Sequence, residues 1–375
     1  MFKSRLAVNA IFFINGFMHA NLASRLPRLQ ELFQLSNGKL GLVLLCTSIG
    51  AVVAMPFTGW LIIQNGSKRI GIISVFAYCL FFPLVTLVPG IPGLMALFFM
   101  MGVTAGMLDV SMNAQAVMVE RGIGKPIMTS FHALFSIGMA IGAFFGSGFE
   151  KAAIGLGQHL LIITAFCIAC AFWVRYFLIH DKPEKKSEGP AFQLPNAAMV
   201  SIGVIAFCCM LGEGAMADWS TNYLEKISFA SKTLAPIGLS AFALAMTTGR
   251  IFGDQARARF GDRKLMVVCG AISSSGILLS LASTEPYTVI AGFFLVGLGL
   301  SVIVPIAYSI AGNSTEVSPG VGLAMVTTVG YSGFLFGPPV IGFLADWADL
   351  RIALTFVAGL FFIMTLLSFR YKGNA

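Results

Sequence analysis

Charged side chains are scarce in this chain of 375 residues. Asp, Glu, Lys and Arg make up 11% of the sequence and hydrophobic residues make up 57%, whereas a soluble domain carries about 25% charged residues. This shortage excludes an ordinary water-soluble globular protein, because the excess apolar surface has to face lipid.

Residue types that build catalytic and metal sites are also sparse. The four histidines, His19, His132, His159 and His180, are scattered without the spacing of metal ligands. The seven cysteines all fall in apolar segments without the spacing of a disulfide framework, so we expect small core residues. The sequence contains neither a nucleophile elbow nor a phosphate-cradling loop. These absences argue against an integral-membrane enzyme, a metal site, a cofactor and direct use of ATP.

The chain instead holds twelve apolar stretches, each long enough to cross a bilayer as a helix of roughly 20 residues. The first six are Leu6–Leu22, Leu40–Ile63, Ile70–Val88, Leu94–Val119, Met128–Phe149 and Leu160–Ile179. The second six are Val200–Leu224, Leu234–Gly253, Leu265–Ala282, Val289–Ala311, Val321–Ala345 and Ile352–Phe369. A charged run at 180–196 separates the two sets. We therefore predict an all-α integral membrane protein with six-helix bundles at 1–179 and 197–375, joined by a cytoplasmic linker at 180–196.

The basic residues sort by alternate loops. One set of loops carries Lys3, Arg5, Lys68, Arg69, Arg121, Lys125, Arg175, Lys182, Lys185, Lys186, Arg257, Arg259, Arg263, Lys264, Arg370 and Lys372. The other set carries Arg25, Arg28, Lys39, Lys151, Lys226, Lys232 and Arg351. By the positive-inside rule this bias places both termini in the cytoplasm. The net charge of +8 is therefore a topology signal and does not indicate nucleic-acid binding.

The two halves of the sequence repeat each other weakly. Gly138, Gly142 and Gly146 recur at four-residue spacing in the fifth stretch, as Gly333 and Gly337 do in the eleventh. Small residues at this spacing let neighbouring membrane helices pack closely. Each of these stretches also ends at an acid, Glu150 or Asp346. Repeated six-helix halves are typical of transporters that bind their substrate near the midplane.

Loop sequences in both halves are similar to the signature of the major facilitator superfamily, Gly-xxx-Asp-Arg-x-Gly-Arg-Arg. The first copy is Gly59–Arg69, where Ile63 and Gln64 replace the expected Asp and Arg, and the second is Gly249–Lys264. The resemblance covers essentially the whole chain and implies twelve transmembrane helices in two pseudo-symmetric bundles. Because the first copy has lost its acid and its arginine, we expect its usual conformational latch to be altered.

Three further stretches resemble the fucose-permease-like branch of that superfamily and its bacterial inner-membrane relatives. They are Gly106–Gln115, Phe131–Gly138 and Gly212–Leu224. This branch includes proton-coupled sugar importers, so the resemblance implies a multi-pass protein of the bacterial inner membrane whose partners are a small solute, protons and the bilayer. We expect a monomer.

Ionisable residues inside the apolar stretches are the first functional candidates, because charge in hydrocarbon is costly. Asp109 and Glu213 stand well inside, and Asp109 shares a helix face with Asn113 four residues later. Either acid could bind and release a proton during transport. The alternative is a fixed hydrogen bond that sets helix packing, and the sequence does not choose between the two acids.

Other polar residues form a second group of candidates. The expected substrate contacts are Asn15, His19, Asn113, His132, Ser136, Trp219, Tyr223 and Tyr308. Trp219 and Tyr223 fit an interfacial aromatic belt equally well, and the others could serve only interhelical hydrogen bonds. We assign Glu150, Asp218, Arg250, Asp254 and Asp346 to gating or structural ion pairs, with Arg250 and Asp254 paired at i, i+4.

These patterns favour a secondary active transporter that imports a small polar solute by proton symport, and the resemblance to the fucose-permease-like branch implies a sugar. Export of drugs or metabolites is the alternative, because 18 Met and 34 Phe could line an apolar cavity. A non-transporting receptor is a further alternative, although its intramembrane acids would then have no evident use.

Overall fold

The computed structural model describes residues 1–124, 127–181, 197–312 and 319–371. The predicted linker lies outside the described residues from 182 onward. The helices are α1 (Phe2–Ala23), α2 (Leu26–Phe33), α3 (Asn37–Asn65), α4 (Ser67–Phe81), α5 (Gly90–Ile123), α6 (Met128–Lys151), α7 (Leu156–Val174), α8 (Ala197–Lys226), α9 (Ala235–Phe260), α10 (Asp262–Ala282), α11 (Pro286–Leu300), α12 (Ile303–Gly312), α13 (Pro319–Trp347) and α14 (Leu350–Arg370). A short 3-10 helix, Phe82–Thr86, extends α4.

Within the described residues, twelve helical segments are long and apolar enough to cross a membrane. The all-α membrane fold with twelve spans is therefore confirmed. Several helices are longer than their apolar cores, and the fourth span extends over Gly90–Ile123 where the sequence predicts Leu94–Val119. The tenth span differs from the prediction. The sequence predicts one helix over Val289–Ala311, but this span is broken into α11 and α12.

The described chain folds as two units, one before the predicted linker and one after it. In the first unit, α1 packs on α5, α6 and α7, and α4 packs on α5 and α7. In the second unit, α8 packs on α9, α13 and α14, and α10 packs on α11 and α14. Ser36–Gly41, at the start of α3, belongs to the second unit by its contacts.

Glycines bring α1 and α6 together in the first unit and α8 and α13 together in the second. A Cβ on Gly138 would overlap with the carbonyl oxygen of Phe13, and a Cβ on Gly333 would lie 2.6 Å from that of Phe207. The predicted small-residue face of the fifth and eleventh spans is thus the face that packs. The matching contacts also align the repeats, since Phe13 and Phe207 occupy equivalent positions.

A methyl group at Gly16 would disrupt this packing. It would overlap with the carbonyl oxygen of Phe135 on α6, and backbone atoms can relieve that overlap only if the helices separate. We expect Gly16→Ala to destabilise the protein by about 1–3 kcal/mol, measured as thermal unfolding of detergent-purified protein. Gly359→Ala is the matched control, because a Cβ there meets nothing within 4 Å. Equal unfolding temperatures for the two variants would contradict the close contact.

The loop before α4, which carries the degraded signature, is hydrogen-bonded by an acid from another part of the chain. The carboxylate of Asp181, which follows α7, accepts hydrogen bonds from the backbone amides of Ser67 (2.5 Å) and Lys68 (3.3 Å) at the start of α4. Burial opposes ionisation of Asp181, but these hydrogen bonds outweigh it and lower its pKa. Gln115 of α5 donates to the Ser67 hydroxyl and to the carbonyl of Ile179. These hydrogen bonds fix the segment after α7 to the start of α4.

Candidate functional site

The first unit holds Asp109 on α5 with a neutral partner. Asn113 donates its side-chain amide to the Asp109 carbonyl (2.8 Å) and approaches the carboxylate oxygen Oδ1 at 3.4 Å. Both side chains are half-buried. Among the described residues, no lysine, arginine or histidine forms an ion pair with Asp109. Its negative charge is therefore balanced by no cation of the described chain.

Polar side chains of α1 and α6 belong to the same unit. Asn15 on α1 is nearly buried and directs its amide nitrogen to the Met112 sulfur of α5 at 3.8 Å. His132 on α6 packs edge-on against Phe12 of α1, with ring centroids 5.2 Å apart. The buried Ser136 hydroxyl donates to the carbonyl of His132. Contacts of α1 with both helices thus bring candidates from three helices into one half of the molecule.

His19 lies one turn after Asn15 on α1 and is half-buried. No hydrogen bond joins either of its ring nitrogens to another residue in the described part of the chain. The interhelical hydrogen bond that would give His19 a purely structural role is therefore missing from the described structure.

The second unit holds Glu213 on α8 beside Arg250 on α9. The guanidinium nitrogen Nη2 lies 3.3 Å from the Glu213 carboxylate oxygen Oε1, and the two side chains are 14% and 17% exposed. The predicted pairing of Arg250 with Asp254 is wrong, since Asp254 is exposed and no ion pair joins it to Arg250 among the described residues. Burial explains the difference, because a half-buried carboxylate needs a cation far more than an exposed one does.

Equivalent positions in the two repeats carry different chemistry. Phe13 and Phe207 match, so His19 and Glu213, each six residues later, are equivalent. A Cβ on Gly102 would overlap with the Thr47 carbonyl oxygen and one on Gly297 with that of Phe242. Asn113 and Tyr308, each eleven residues beyond these glycines, therefore match as well. Tyr308 is half-buried, and its hydroxyl approaches the Met210 sulfur at 3.9 Å.

Trp219 and Tyr223 on α8 lie inside the second unit. Both rings are fully buried, which does not fit the alternative of a lipid-facing aromatic belt, and their contact with substrate stays a prediction. The Tyr223 hydroxyl donates to the carbonyl of Ser280 (3.2 Å) and its ring packs against Phe293. The indole nitrogen of Trp219 has no hydrogen-bond partner in the described structure. Asp218, one residue before it, is half-buried. No ion pair joins Asp218 to another described residue, so a structural ion pair is not found and its gating role stays a prediction.

The acids at the ends of the fifth and eleventh spans both have partners. Glu150 forms ion pairs with Arg25 (3.2 Å) and Arg28 (3.3 Å) in the first unit. Asp346 accepts hydrogen bonds from the backbone amides of Asn37 and Gly38, both at 2.8 Å, within the second unit. A carboxylate at a helix N-terminus interacts favourably with the exposed amides there. These partners explain how each acid is accommodated at a helix C-terminus.

A buried pair in the first unit escaped sequence analysis. His159 on α7 and Asn21 on α1 are both fully buried, and the His159 nitrogen Nε2 lies 2.8 Å from the Asn21 oxygen. The Asn21 amide nitrogen donates to the Phe17 carbonyl, so its oxygen accepts from His159. The His159 ring also stacks on Phe149 at 4.1 Å. The only signal in the sequence was a polar residue at the edge of each apolar stretch, Asn21 near the end of the first and His159 just before the sixth.

The described residues contain no group of three or more His, Cys, Asp or Glu side chains that could hold a metal ion. All seven cysteines are free, and five of them are buried. Apart from the paired arginines, the polar groups described above are acids, amides, imidazoles and hydroxyls, which bind protons and hydrogen-bonding solutes.

Twelve spans, a glycine-packed repeat and intramembrane acids are together typical of a membrane transporter built from two repeated halves. The family model of the Major Facilitator Superfamily matches residues 8–229 and again 202–374. The chain belongs to this superfamily. It is a multi-pass membrane protein and a transporter.

Known proteins resemble the chain along its length. An MFS-type transporter of Yersinia pestis is 35% identical over 362 residues, covering 95% of this chain and 92% of that protein. Membrane protein MosC of Rhizobium meliloti is 32% identical over 361 residues, covering 94% and 87%. A mutant of the nucleoside transporter NupG has a similar fold, with a TM-score of 0.80 at 15% identity over 98% of this chain and 100% of that one. At that identity the structural likeness shows the fold alone.

Proposed function

We propose that the chain imports a small polar solute together with a proton, by alternating access, and that Asp109 is the residue that binds the proton. The proposal is carried by the half-buried Asp109 carboxylate, whose described partner is the neutral amide of Asn113. An ionised carboxylate within a membrane span is unfavourable. Protonation removes the charge, so Asp109 favours a proton when it is closed off from water and releases it when water returns.

Glu213 supports this choice by contrast. Arg250 already neutralises it at 3.3 Å, so loss of its charge is not required for the second unit to exclude water. Protonation of Glu213 would also leave the Arg250 cation without its carboxylate partner, which is costly for a half-buried pair. Of the two acids, Asp109 is the one for which a proton is the simplest neutralising partner.

The neutral polar groups of the two units favour a hydroxyl-rich solute. Asn15, His19 and Asn113 in the first unit and Tyr308 in the second each carry a donor or an acceptor without adding a fixed charge. The resemblance to the fucose-permease-like branch points to a sugar, and the fold shared with NupG makes a nucleoside the next class to test. The bias of basic residues between alternate loops supports insertion into the bacterial inner membrane with both termini in the cytoplasm.

Purified protein in liposomes would test the proposal directly. We expect one member of a labelled panel of fucose, galactose, inositol and uridine to accumulate when an inward proton gradient is imposed, and accumulation to stop when a protonophore collapses it. Protein-free liposomes are the control. Uptake that ignores the gradient would contradict proton coupling. Gradient-driven movement of ethidium, with no uptake from the panel, would favour the export alternative.

A further inference from the structure

The tenth span is interrupted at Ser301 and Val302, between α11 and α12. Pro305 has no backbone N–H, so the carbonyl of Ser301 lacks the donor that a continuous helix would supply. The Ser301 hydroxyl turns back and donates to the carbonyl of Leu298 at 2.7 Å. Proline accounts for one missing hydrogen bond, but the helix is already interrupted three residues before it.

A thiol from α8 lies in the interruption. The Cys209 sulfur donates to the carbonyl of Leu300 at 3.5 Å, and the backbone amide of Val304 lies beside the same sulfur. In an uninterrupted α-helix the Val304 amide would donate to the Leu300 carbonyl directly. The thiol therefore takes the place of one bond of the helical ladder, and insertion of a side chain into that ladder is a known cause of sharp helix bends.

The interruption is packed against the helix that carries Arg250. A Cβ on Gly249 would overlap with the Ser301 hydroxyl, and one on Gly253 would lie 2.6 Å from Val302 Cγ1. Glu213, the partner of Arg250, follows Cys209 by one turn on the same face of α8. The interruption of the tenth span, the inserted thiol and the ion pair thus form one cluster within the second unit.

The equivalent helix of the first unit, α5, is not interrupted in this way. Asn15 occupies the position equivalent to Cys209, since each follows its matched phenylalanine by two residues. Its amide is directed at the Met112 sulfur, and α5 runs without interruption from Gly90 to Ile123. The bend is therefore a property of the second unit and does not follow from the repeat.

We propose that Cys209 is a positioning residue of the second half of the transporter, whose thiol sets the bend of the tenth span and hence the placement of Tyr308 on α12. A thiol is both a weak donor and a weak acceptor. Replacing the thiol between Val304 and Leu300 by a direct hydrogen bond from the Val304 amide to the Leu300 carbonyl therefore costs little free energy. The tenth span can then bend or straighten during transport. This inference rests on the chain being a transporter and is independent of the proposed solute and of proton coupling.

Hydrogen–deuterium exchange of the detergent-purified full chain tests the insertion. We expect peptides covering residues 302–306 to exchange roughly three- to tenfold faster in Cys209→Ala, because the Val304 amide loses its acceptor. Cys209→Ser should restore slow exchange, since a hydroxyl can make both bonds. Cys208→Ala is the matched control, because Cys208 is an adjacent cysteine that is equally buried. Equal or slower exchange in Cys209→Ala than in Cys208→Ala, or no rescue by serine, would overturn the proposal.

Infrared spectroscopy of the same proteins gives a second test that does not depend on exchange. The wild-type minus Cys209→Ser difference spectrum should contain an S–H stretching band at the low frequency of a thiol bonded to a carbonyl. The wild-type minus Cys208→Ala spectrum isolates the neighbouring thiol for comparison. A Cys209 band at the frequency of a free thiol would show that it does not bridge Leu300 and Val304. Both tests use protein without solute, so failure of the transport proposal would not affect them.

Discussion

Asp109→Asn stops gradient-driven accumulation of the solute while leaving its exchange across the membrane near the wild-type rate. Asparagine has nearly the shape of a protonated aspartate but cannot bind or release a proton. The variant should therefore still bind solute and reorient, and its ratio of inside to outside solute should fall to about one, because the gradient no longer supplies energy. Net uptake under an imposed gradient and exchange of labelled for unlabelled solute, measured in the same liposomes, separate the two activities.

Two other acids serve as comparisons for Asp109. Glu31→Gln changes a carboxylate of the first unit whose side chain is 57% exposed and should leave accumulation intact. Glu213→Gln removes the partner of Arg250 and should lower the amount of folded protein rather than abolish coupling selectively. Normal accumulation by Asp109→Asn would contradict the proposal that Asp109 binds the coupled proton. Loss of exchange as well as accumulation, with unchanged thermal unfolding, would give Asp109 a role in binding the solute itself.

The overall fold could be predicted because the bilayer imposes a simple requirement on sequence. Each span needs roughly 20 apolar residues, and no other part of this chain meets that condition. Helix packing was partly predictable for a related reason, since glycines at four-residue spacing, such as those that begin at Gly138 and Gly333, favour the close approach of a neighbouring backbone. Pro305 indicates a distortion of the tenth span, but the position of the break at Ser301 and Val302 could not be predicted, because the cysteine that contacts it comes from a distant part of the chain.

The site was harder to predict because sequence spacing does not reveal which helix face meets protein. Trp219 and Tyr223 sit near the end of an apolar stretch, as belt residues do, yet both are buried among helices. Arg250 and Asp254 have the spacing of an ion pair, but Asp254 remains exposed and the half-buried Glu213 takes the guanidinium. In each case the tertiary environment overrode a local pattern. Asp109 and Asn113 were predictable because both lie on one helix.

Removing Arg250 alone should destabilise the protein by about 3 kcal/mol, because it leaves the Glu213 charge half-buried without a partner. Arg250→Met combined with Glu213→Gln should recover most of that loss, since both charges are then absent. Denaturant unfolding in detergent of the wild type, the two single variants and the double variant gives the coupling energy between the side chains.

The pair of Arg257 and Asp262 in the same unit is the matched control for this cycle. Its contacts are shorter and bidentate, at 2.6 and 3.0 Å, but its side chains are 34% and 29% exposed. Exposure to solvent should decide the outcome, so we expect a coupling of about 0.5 kcal/mol for the control pair against several-fold more for Arg250 and Glu213. If the two couplings were equal, Glu213 would have to be protonated or hydrated in the folded protein. Glu213 would then become a second proton-binding candidate beside Asp109.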